Sequence, residues 1–401
     1  MSKKKIILIF LFIFVAVYYL SFSAIGTDRF EVIKNSINPK YKNMIVKYFF
    51  PYKKITILEE RFNDLLKYND DQNRLIREHL YNFEYEYKKS GENINIIKKK
   101  DLKLSNNLIM EKYELLNGLY HGIHNILNRS AFLDFHQNNL LILTPTGILS
   151  YISNVNDDKI YLNQISNNIY DFINSNQFNK DAWFSLKDLS VYNNKIFISY
   201  TEEINQDCWN VSVIFGDFNY DEITFKKLFS SEKCISSINN VDKIFNAHQT
   251  GGRIVGFDDE NILLTTGEFR NRYLAQEKES INGKIIKINF KNKDFKIISM
   301  GHRNPQGLLY DKENNIILST EHGPEGGDEI NLIDLDLLSS NNHKILNYGW
   351  PISSYGEHYG GKKKFANREK YKKYPLYKSH SKHNFIEPLK FFTPSIGISE
   401  I

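Results

Sequence analysis

A short pattern recurs four times from residue 138 onward and constrains the fold more than any other feature: a polar turn, then three branched or aromatic apolar residues. Its apolar part begins at Leu140, Ile196, Ile262 and Ile316, so successive copies lie 56, 66 and 54 residues apart. Each copy is followed by a further strand-like run, such as Trp209 to Phe215. Repeats of this kind, each holding about four short strands, predict an all-β fold, the β-propeller. A β-sandwich array is the alternative, and it explains the regular step less well.

The last stretch of the sequence, Phe391 to Ile401, has the pattern of a new strand unit that begins where the sequence ends. A propeller has to close, because an open blade leaves an unpaired strand edge. We therefore expect either that the first strands complete the last blade or that the sequence is an incomplete reading frame, and we favour the second. The predicted propeller domain spans residues 126–401.

The N-terminal segment, residues 1–27, has the pattern of a transmembrane anchor or a signal peptide. Three lysines, Lys3 to Lys5, precede 22 uncharged residues from Ile6 to Thr27. A run of this length can span a bilayer, and the lysines predict a cytoplasmic N-terminus. Cleavage is the competing interpretation, because small residues follow the strongly apolar part at Ser21 to Ala24. Either interpretation exports the domain, so we expect it at the periplasmic face of the cell envelope.

Residues 28–125 are predicted to form a helical membrane-proximal region. Apolar residues recur at the three-to-four spacing of amphipathic helices, at Leu58, Phe62, Leu65, Leu66, Ile76, Leu80, Phe83 and Tyr87. The stripe is interrupted at Asn69 to Asp71, which indicates two helices and not one coiled coil. The region is expected to be a spacer that packs on the main domain, and a stalk or oligomerisation element is the alternative.

Cysteine content indicates one disulfide. The two cysteines, Cys208 and Cys234, are 26 residues apart and lack the spacing of a redox or zinc motif. In an exported, oxidising compartment such a pair is expected to be bonded. Two buried free thiols are the alternative.

The charge of the chain argues against a nucleic-acid partner. The formal net charge is a modest +5, and lysine is spread widely along the chain. No arginine-rich patch with interleaved aromatic residues occurs, although nucleic-acid-binding surfaces usually have one. We expect no nucleic-acid function.

Three polar stretches carry candidate functional residues. His248 lies in AHQTGGR, where a glycine pair allows close approach of backbone, and a histidine there can act as a general base. Arg303 and Asn304 stand directly before a proline, and an acidic loop covers residues 321–329. Taken alone, each is typical of an ordinary hydrogen-bonding, turn-bracing or surface residue. Together, two polar loops at the same ends of neighbouring strands can hold a flat anionic ligand beside a hard cation.

The order of these stretches is more specific than any one of them. The chain carries AHQTGGR, TTGEF with AQEKESINGKIIKIN, GHRNPQGL, TEHGPEGGDEINLI, NYGWP and TPSIGIS in succession. In this it resembles the quinoprotein glucose/sorbosone dehydrogenase family, which includes the aldose sugar dehydrogenases. The resemblance covers roughly Ser130 to Ile401.

The resemblance implies a six-bladed propeller that binds pyrroloquinoline quinone (PQQ) at the top of its central channel, with Ca²⁺ beside it. It implies that His248 is the general base, that Arg303 and Asn304 contact the quinone, and that the carbonyls of Gly323 and Pro324 ligate calcium. These roles agree with the chemistry of the groups. Calcium prefers oxygen ligands and polarises a carbonyl, a guanidinium suits oxygens that gain charge, and histidine accepts protons near neutral pH.

Several positions depart from the family pattern. Ala247 stands where glucose-oxidising members carry an aspartate that helps to hold the cofactor, and Glu268 stands where aspartate is common. The family's cationic residues for the quinone carboxylates lie beyond residue 401. Asp328 and Glu329 can hydrogen-bond around the cation, and a structural role in the loop is the alternative.

The expected function is therefore an exported quinoprotein that oxidises an aldose hydroxyl group, with an electron acceptor that the sequence does not name. The alternative is a non-catalytic propeller that binds carbohydrate or protein in the cell envelope. A structural envelope protein is a third class, and no sequence feature supports it. His248, Arg303 and the Gly323–Pro324 loop favour the enzyme, because a pure binding protein need not keep all three.

Overall fold

The computed structural model describes residues 60–65, 68, 94–95, 97–104, 108–114, 131–144, 147–155, 160–173, 186–340 and 345–401. The chain divides into two units, Met1–Leu75 and Ile76–Ile401, and the fold described below belongs to the second. The predicted membrane segment at residues 1–27 lies outside the described residues. Among the residues that are described, no helix is long and apolar enough to cross a bilayer.

Four sheets follow one another along the chain, and we call them blades I to IV. The strands of blade I are Phe132–His136, Asn139–Leu143, Leu149–Ile152 and Tyr161–Gln164, with Ile94–Asn95 at the outer edge. Those of blade II are Leu186–Tyr192, Lys195–Asn205, Cys208–Asp217 and Lys226–Ser230. Those of blade III are Gly251–Asp258, Asn261–Thr266, Lys284–Asn289 and Phe295–Met300, with Leu346–Asn347 added in parallel. Those of blade IV are Pro305–Asp311, Ile316–Glu321, Asp328–Asp334 and Lys390–Phe392.

Short elements connect and flank the blades. Two-residue strands pair as Ser166–Asn167 with Glu222–Ile223, Ile97–Lys98 with Tyr113–Glu114, and Leu102–Lys103 with Ile109–Met110. The described α-helices are Leu335–Ser340 and Arg368–Lys373, with residues 60–65 also helical. Single 3₁₀ turns occur at Ile169–Asp171, Ala247–Gln249, Arg272–Gln276, Phe365–Asn367 and Ser381–His383.

The first strands of the four blades lie side by side and form the inner wall of the propeller. Two aspartates join them. A carboxylate oxygen of Asp134 on blade I accepts from the Val191 N–H of blade II at 2.6 Å. In the same way, Asp188 of blade II accepts from the Ile254 N–H of blade III at 2.7 Å. These bonds satisfy backbone donors that the blades' own sheets leave unpaired on that side.

The cores lie between successive blades, because both faces of each sheet are covered. Along the second strand of blade II, Ile196 and Ile198 pack toward blade I, while Phe197 packs toward blade III. On blade III the alternation repeats, with Ile262 facing blade II and Leu263 facing blade IV. This period of two is the property of a strand buried on both faces.

The recurring sequence pattern coincides with the second strand of every blade, so the propeller prediction is confirmed for four blades. The polar turn before it is the hairpin turn. In blade II, Asn193 and Asn194 have φ of 49° and 54°, the left-handed pair that a two-residue turn between twisted strands requires. A total of six blades remains a prediction.

Two expectations about the flanking regions are wrong for the described residues. Residues 60–65 are helical, but the described residues between 94 and 114 include short strands, and Ile94–Asn95 pairs with blade I. The helical spacing extended only over residues 58–87, so it did not apply to this stretch. Likewise, Lys390–Phe392 does not start a new unit but pairs with Asp328–Ile330 as the fourth strand of blade IV. More than fifty residues separate it from its neighbour, so local pattern does not reveal the pairing.

The predicted disulfide is confirmed. Cys208, which opens the third strand of blade II, is bonded to Cys234 with a Cα–Cα distance of 5.1 Å. Beside the bond, Trp209 and Ile235 exchange two backbone hydrogen bonds of 2.9 Å each. The bond therefore fastens the loop that follows blade II to the start of its third strand.

Candidate active site

Four loops meet at one end of blades III and IV, and Asn304 connects three of them. Its side-chain oxygen accepts from the Gly251 N–H at 3.1 Å, at the start of the first strand of blade III. Its backbone oxygen accepts from the His322 N–H at 3.2 Å, in the acidic loop. Next to it, the Arg303 carbonyl accepts from the Glu268 N–H at 3.1 Å. Hydrogen bonds of backbone groups, with one side-chain amide, thus join stretches that are distant in sequence.

His248 lies in the 3₁₀ turn Ala247–Gln249, which ends just before the first strand of blade III. The turn begins at Asn246, whose side chain accepts from the His248 N–H at 2.8 Å. A second loop holds the turn from the other side, because the Phe269 N–H donates to the Gln249 carbonyl at 2.9 Å. The approach is close: a Cβ on Gly267 would lie 2.1 Å from that carbonyl oxygen, so only glycine fits there. The position of the histidine backbone is therefore set by two loops.

Arg303 has a buried guanidinium with an exposed fraction of 5%. Its Nη1 donates to the His322 carbonyl at 2.7 Å, and its backbone N–H donates to Glu321 Oε2 at 2.9 Å. The guanidinium carbon lies 5.5 Å from the centre of the Trp350 ring, within the range of a cation–π contact. Burial lowers the pKa of Arg303, and the nearby Glu268 opposes this. A fixed cation is thus held at the junction of the loops.

A pocket of about 190 Å³ opens beside this guanidinium. Its lining residues come from the GHRNPQGL motif, the acidic loop, and NYGWP with the segment after it: Arg303, Glu321, His322, Gly323, Gly327, Glu329, Trp350, Ser353 and Ser354. Burial lowers the pKa of His322, which leaves its imidazole neutral at neutral pH.

Some of the predicted site residues line the pocket, and others lie outside its lining. Arg303 and Gly323 line the same pocket, with the buried Pro324 next in the chain. Asn304 and His248 are not lining residues, but their loops are hydrogen-bonded to those that are. Sequence reasoning missed the lining roles of Trp350 and His322, although both belong to quoted motifs. The signal was their place in NYGWP and TEHGPEGGDEINLI.

Asp328 is used inside the acidic loop. One carboxylate oxygen accepts from the Gly323 N–H at 2.9 Å, and the other accepts from the N–H groups of Ile396 and Gly397 at 3.0 and 2.8 Å. Burial alone would raise the pKa of Asp328, but hydrogen bonds from Ser395 and from these backbone groups hold it below its usual value. The carboxylate therefore fixes the shape of the loop, which agrees with a structural role.

Glu321 and Glu329 form a buried carboxyl pair at the base of the pocket. Burial raises the pKa of Glu329 well above its usual value, and the adjacent Glu321 raises it further. Burial would also raise the pKa of Glu321, but the nearby His302, whose Nδ1 lies 3.5 Å from Glu321 Oε2, lowers it overall. Repulsion between adjacent buried carboxylates therefore favours the proton on Glu329 over Glu321.

The oxygen atoms at the pocket are of the ligand type that a hard cation such as calcium prefers. Among the described residues, no group of three or more His, Cys, Asp or Glu side chains is arranged as a metal site. Carbonyl oxygens are a different donor set, and calcium accepts them. Pro324 offers such an oxygen, since its described contact is a long one of 3.5 Å from Ser395 Oγ. Gly323 lies in a tight turn where a Cβ would come within 2.1 Å of the Gly327 oxygen. The Pro324 oxygen is therefore one candidate among the six to eight oxygen ligands that calcium needs.

Comparison with known proteins agrees with the family resemblance of the motifs. The family model described as Glucose / Sorbosone dehydrogenase matches residues 189–401. The chain is 29% identical over 184 residues to the aldose sugar dehydrogenase YliI of Escherichia coli, covering 42% of this chain and 44% of that protein. It is 30% identical over 144 residues to quinoprotein glucose dehydrogenase B of Acinetobacter calcoaceticus, covering 28% of each. The aligned part spans less than half the length of these curated relatives.

A solved structure supports the fold. The soluble aldose sugar dehydrogenase of Escherichia coli, in its apo form, superposes with a TM-score of 0.52 at 21% identity. The superposition covers 77% of each chain. At this identity the similarity establishes a common fold, the propeller, and no more.

Proposed function

The chain belongs to the glucose/sorbosone dehydrogenase family, as its motifs predict, and we propose on that basis that the complete protein is a quinoprotein that oxidises an aldose hydroxyl group. Relatives are named aldose sugar dehydrogenase and quinoprotein glucose dehydrogenase. One observation carries the proposal. The buried cation of Arg303 and the tight turn at Gly323 line one pocket, and backbone bonds join that pocket to the loop of His248.

The residues divide the work as follows. PQQ, when bound, supplies the two-electron acceptor. Arg303 would bind its anionic oxygens with a planar fork that is already fixed by the His322 carbonyl, and Asn304 would add an amide contact. The carbonyls of Gly323 and Pro324 would hold Ca²⁺. His248 would take the proton of the sugar hydroxyl.

Pre-organisation favours this assignment. Arg303 and the His248 turn are held by backbone hydrogen bonds, so little conformational freedom would be lost on binding. The Trp350 ring beside the guanidinium offers an apolar face to a flat ligand. A protonated Glu329 would leave only one negative charge in the carboxyl pair. A second charge there would repel an anionic ligand in the pocket.

Location follows from the N-terminal segment and is part of the proposal. We propose that residues 1–27 export the domain to the periplasmic side, as an anchor or as a cleaved signal. The disulfide is consistent with an oxidising compartment.

The test uses the full natural gene product with Ca²⁺ and PQQ. Sugar-dependent reduction of a redox dye is measured over a panel of aldoses, and melting temperature is measured with and without cofactor. We expect turnover with at least one aldose and a cofactor-dependent rise in melting temperature. Arg368→Lys, at an exposed arginine on the Arg368–Lys373 helix, is a matched control for Arg303→Lys. Carbohydrate binding without turnover would instead favour the non-catalytic propeller, and absence of both effects would end the enzyme proposal.

A further inference from the structure

Gln249, directly after His248, joins the turn to the arginines of the site. Its side chain is buried, with 6% exposed. When the NH₂ group of Gln249 faces Glu268, it donates to Glu268 Oε1 at 2.7 Å. In the same orientation its oxygen accepts from Arg303 Nη2 at 2.9 Å and from Arg270 Nε at 3.2 Å. The reverse orientation would set the NH₂ group against two guanidiniums and the oxygen against a carboxylate, so the surroundings select one orientation.

Glu268 is the carboxylate that selects the orientation of the Gln249 amide. The side chain is 1% exposed, and its Oε2 has no hydrogen-bond partner within the described part of the chain. Arg270, Arg272 and Arg303 face it with favourable charge, and Asp242 with unfavourable charge. Tyr374 is also within electrostatic reach. A buried carboxylate whose described hydrogen bond goes to an amide, among three guanidiniums, calls for an explanation beyond packing.

The loop that carries Glu268 is strained. Phe269 and Arg270 follow it with φ of 51° and 68°, two successive left-handed residues that are not glycine. The fully buried Phe269 packs against Phe245, and its backbone bonds tie it to both ends of the His248 turn. Strain of this kind persists only where surrounding contacts impose it, and it is common at functional sites. Here it brings Glu268 and Arg270 to opposite ends of the Gln249 amide.

We propose that Glu268 and Gln249 are positioning residues that hold the Arg303 guanidinium in its ligand-binding orientation. The inference rests on the proposed function for the identity of the ligand, an anionic quinone. The Glu268 carboxylate can only accept, so it fixes the Gln249 NH₂ group, and the amide oxygen is thereby turned toward Arg303. Arg303 is then held from two sides, by this oxygen and by the His322 carbonyl, against the Trp350 ring.

Protonation of Glu268 would release the arrangement. A carboxylic acid can donate as well as accept, so the amide is free to turn and to present NH₂ to the guanidinium. Burial raises the pKa of Glu268 to about 7, although Arg272 and Arg303 oppose the rise. Arg303 is therefore expected to be well held above neutral pH and less well held below it.

The first experiment needs no ligand. The fluorescence of Trp350 is followed from pH 5 to 9 in the full-length protein, as the difference between each protein and its Trp350→Phe derivative. The wild-type protein is expected to show a transition centred near pH 7, and Glu268→Gln should remove it because glutamine does not titrate. A transition that persists unchanged in Glu268→Gln, or no transition in the wild type, would overturn the inference.

The second experiment measures affinity for PQQ in the presence of Ca²⁺ by calorimetry. Gln249→Leu and Glu268→Gln should each weaken binding roughly tenfold to a hundredfold, the effect of one hydrogen bond to a charged group. The double variant should be no weaker than the worse single variant, because the two residues act in series. Additive losses would mean that they act independently and would contradict the inference.

Matched controls come from buried residues of the same types in other blades. Gln164→Leu in blade I and Glu202→Gln in blade II remove a buried amide and a buried carboxylate far from the site along the chain. They are expected to lower the melting temperature while leaving PQQ affinity and the Trp350 transition unchanged. If the wild-type protein fails to bind PQQ, the proposed function fails. The ligand-free titration still decides whether Glu268 and Gln249 position Arg303.

Discussion

Asp188, on the first strand of blade II, is paired with Arg253 on the first strand of blade III at an Oδ1–Nη1 distance of 2.9 Å. The same guanidinium donates through Nε to the Gln306 carbonyl of blade IV at 3.0 Å. One side-chain pair thus joins three blades at the inner wall of the propeller. Asp188 is almost completely buried, whereas Arg253 is partly exposed.

This pairing predicts an unusual pH dependence of stability. Burial raises the pKa of Asp188 to about 7, and Arg253 only partly offsets this. The folded state therefore binds a proton that the unfolded state, with an aspartate pKa near 4, has lost, so the contribution of Asp188 to stability falls as pH rises from about 4 to 7. Asp188→Asn removes that loss, and its stability relative to the wild type should improve by up to about 4 kcal/mol across this range.

The measurement is urea unfolding of both proteins at several pH values between 4 and 8. Asp217→Asn, at an exposed aspartate of the same blade, is the control and should show no such trend. A stability difference between Asp188→Asn and wild type that is constant with pH would contradict the prediction.

His248→Ala is expected to abolish turnover while leaving calcium-dependent PQQ binding largely intact. The proposed base acts on the substrate proton, and its backbone is held by Asn246 and by the 267–269 loop, so loss of the imidazole need not move the loops. Dye reduction and calorimetric PQQ titration are measured on the same preparation. Equal losses of rate and of affinity would show that His248 has a structural role. His383→Ala, at a partly exposed histidine that stacks on Tyr377, serves as the matched control.

Gly323→Ala is expected to weaken calcium binding at least tenfold. The added methyl would meet the Gly327 carbonyl oxygen at 2.1 Å and the Gly326 oxygen at 2.4 Å, so the turn has to open and its carbonyls must move. Gly361→Ala adds a methyl where no atom lies within 4 Å, and it should cost about 1 kcal/mol through backbone strain alone. Calcium-dependent melting is compared between the two variants. Unchanged calcium affinity in Gly323→Ala would remove the case for carbonyl ligation at this turn.

Loss of the disulfide should lower stability without changing the site. The bond closes a loop of 26 residues, and removal of such a crosslink typically costs about 2–4 kcal/mol through the unfolded state. The double variant Cys208→Ser with Cys234→Ser is compared with the wild type in oxidising and reducing buffer. The wild type should lose melting temperature on reduction, whereas the double variant should be indifferent. A PQQ affinity that changed along with stability would mean that the bond also shapes the site.

Local sequence pattern predicted much of the blade structure. The second strand of each blade was marked by its asparagine turn and its apolar run, because a strand covered on both faces excludes polar residues over several positions. The pairing of Cys208 with Cys234 followed from there being only two cysteines. The sequence also predicted that Arg303 and Gly323 share one site. That prediction came from the order of the motifs, through the family resemblance, and not from residue spacing.

What the sequence by itself determined is the class of fold, since the alternation of strand and turn is a local property of neighbouring residues. It did not reveal that Lys390–Phe392 completes blade IV, nor that Glu268 and Gln249 act on Arg303. Those contacts join segments tens of residues apart, and only the close approach of the loops of blades III and IV decides them. Their hydrogen bonds depend on the distance between loops that no local periodicity encodes, so the tertiary structure alone assigns them.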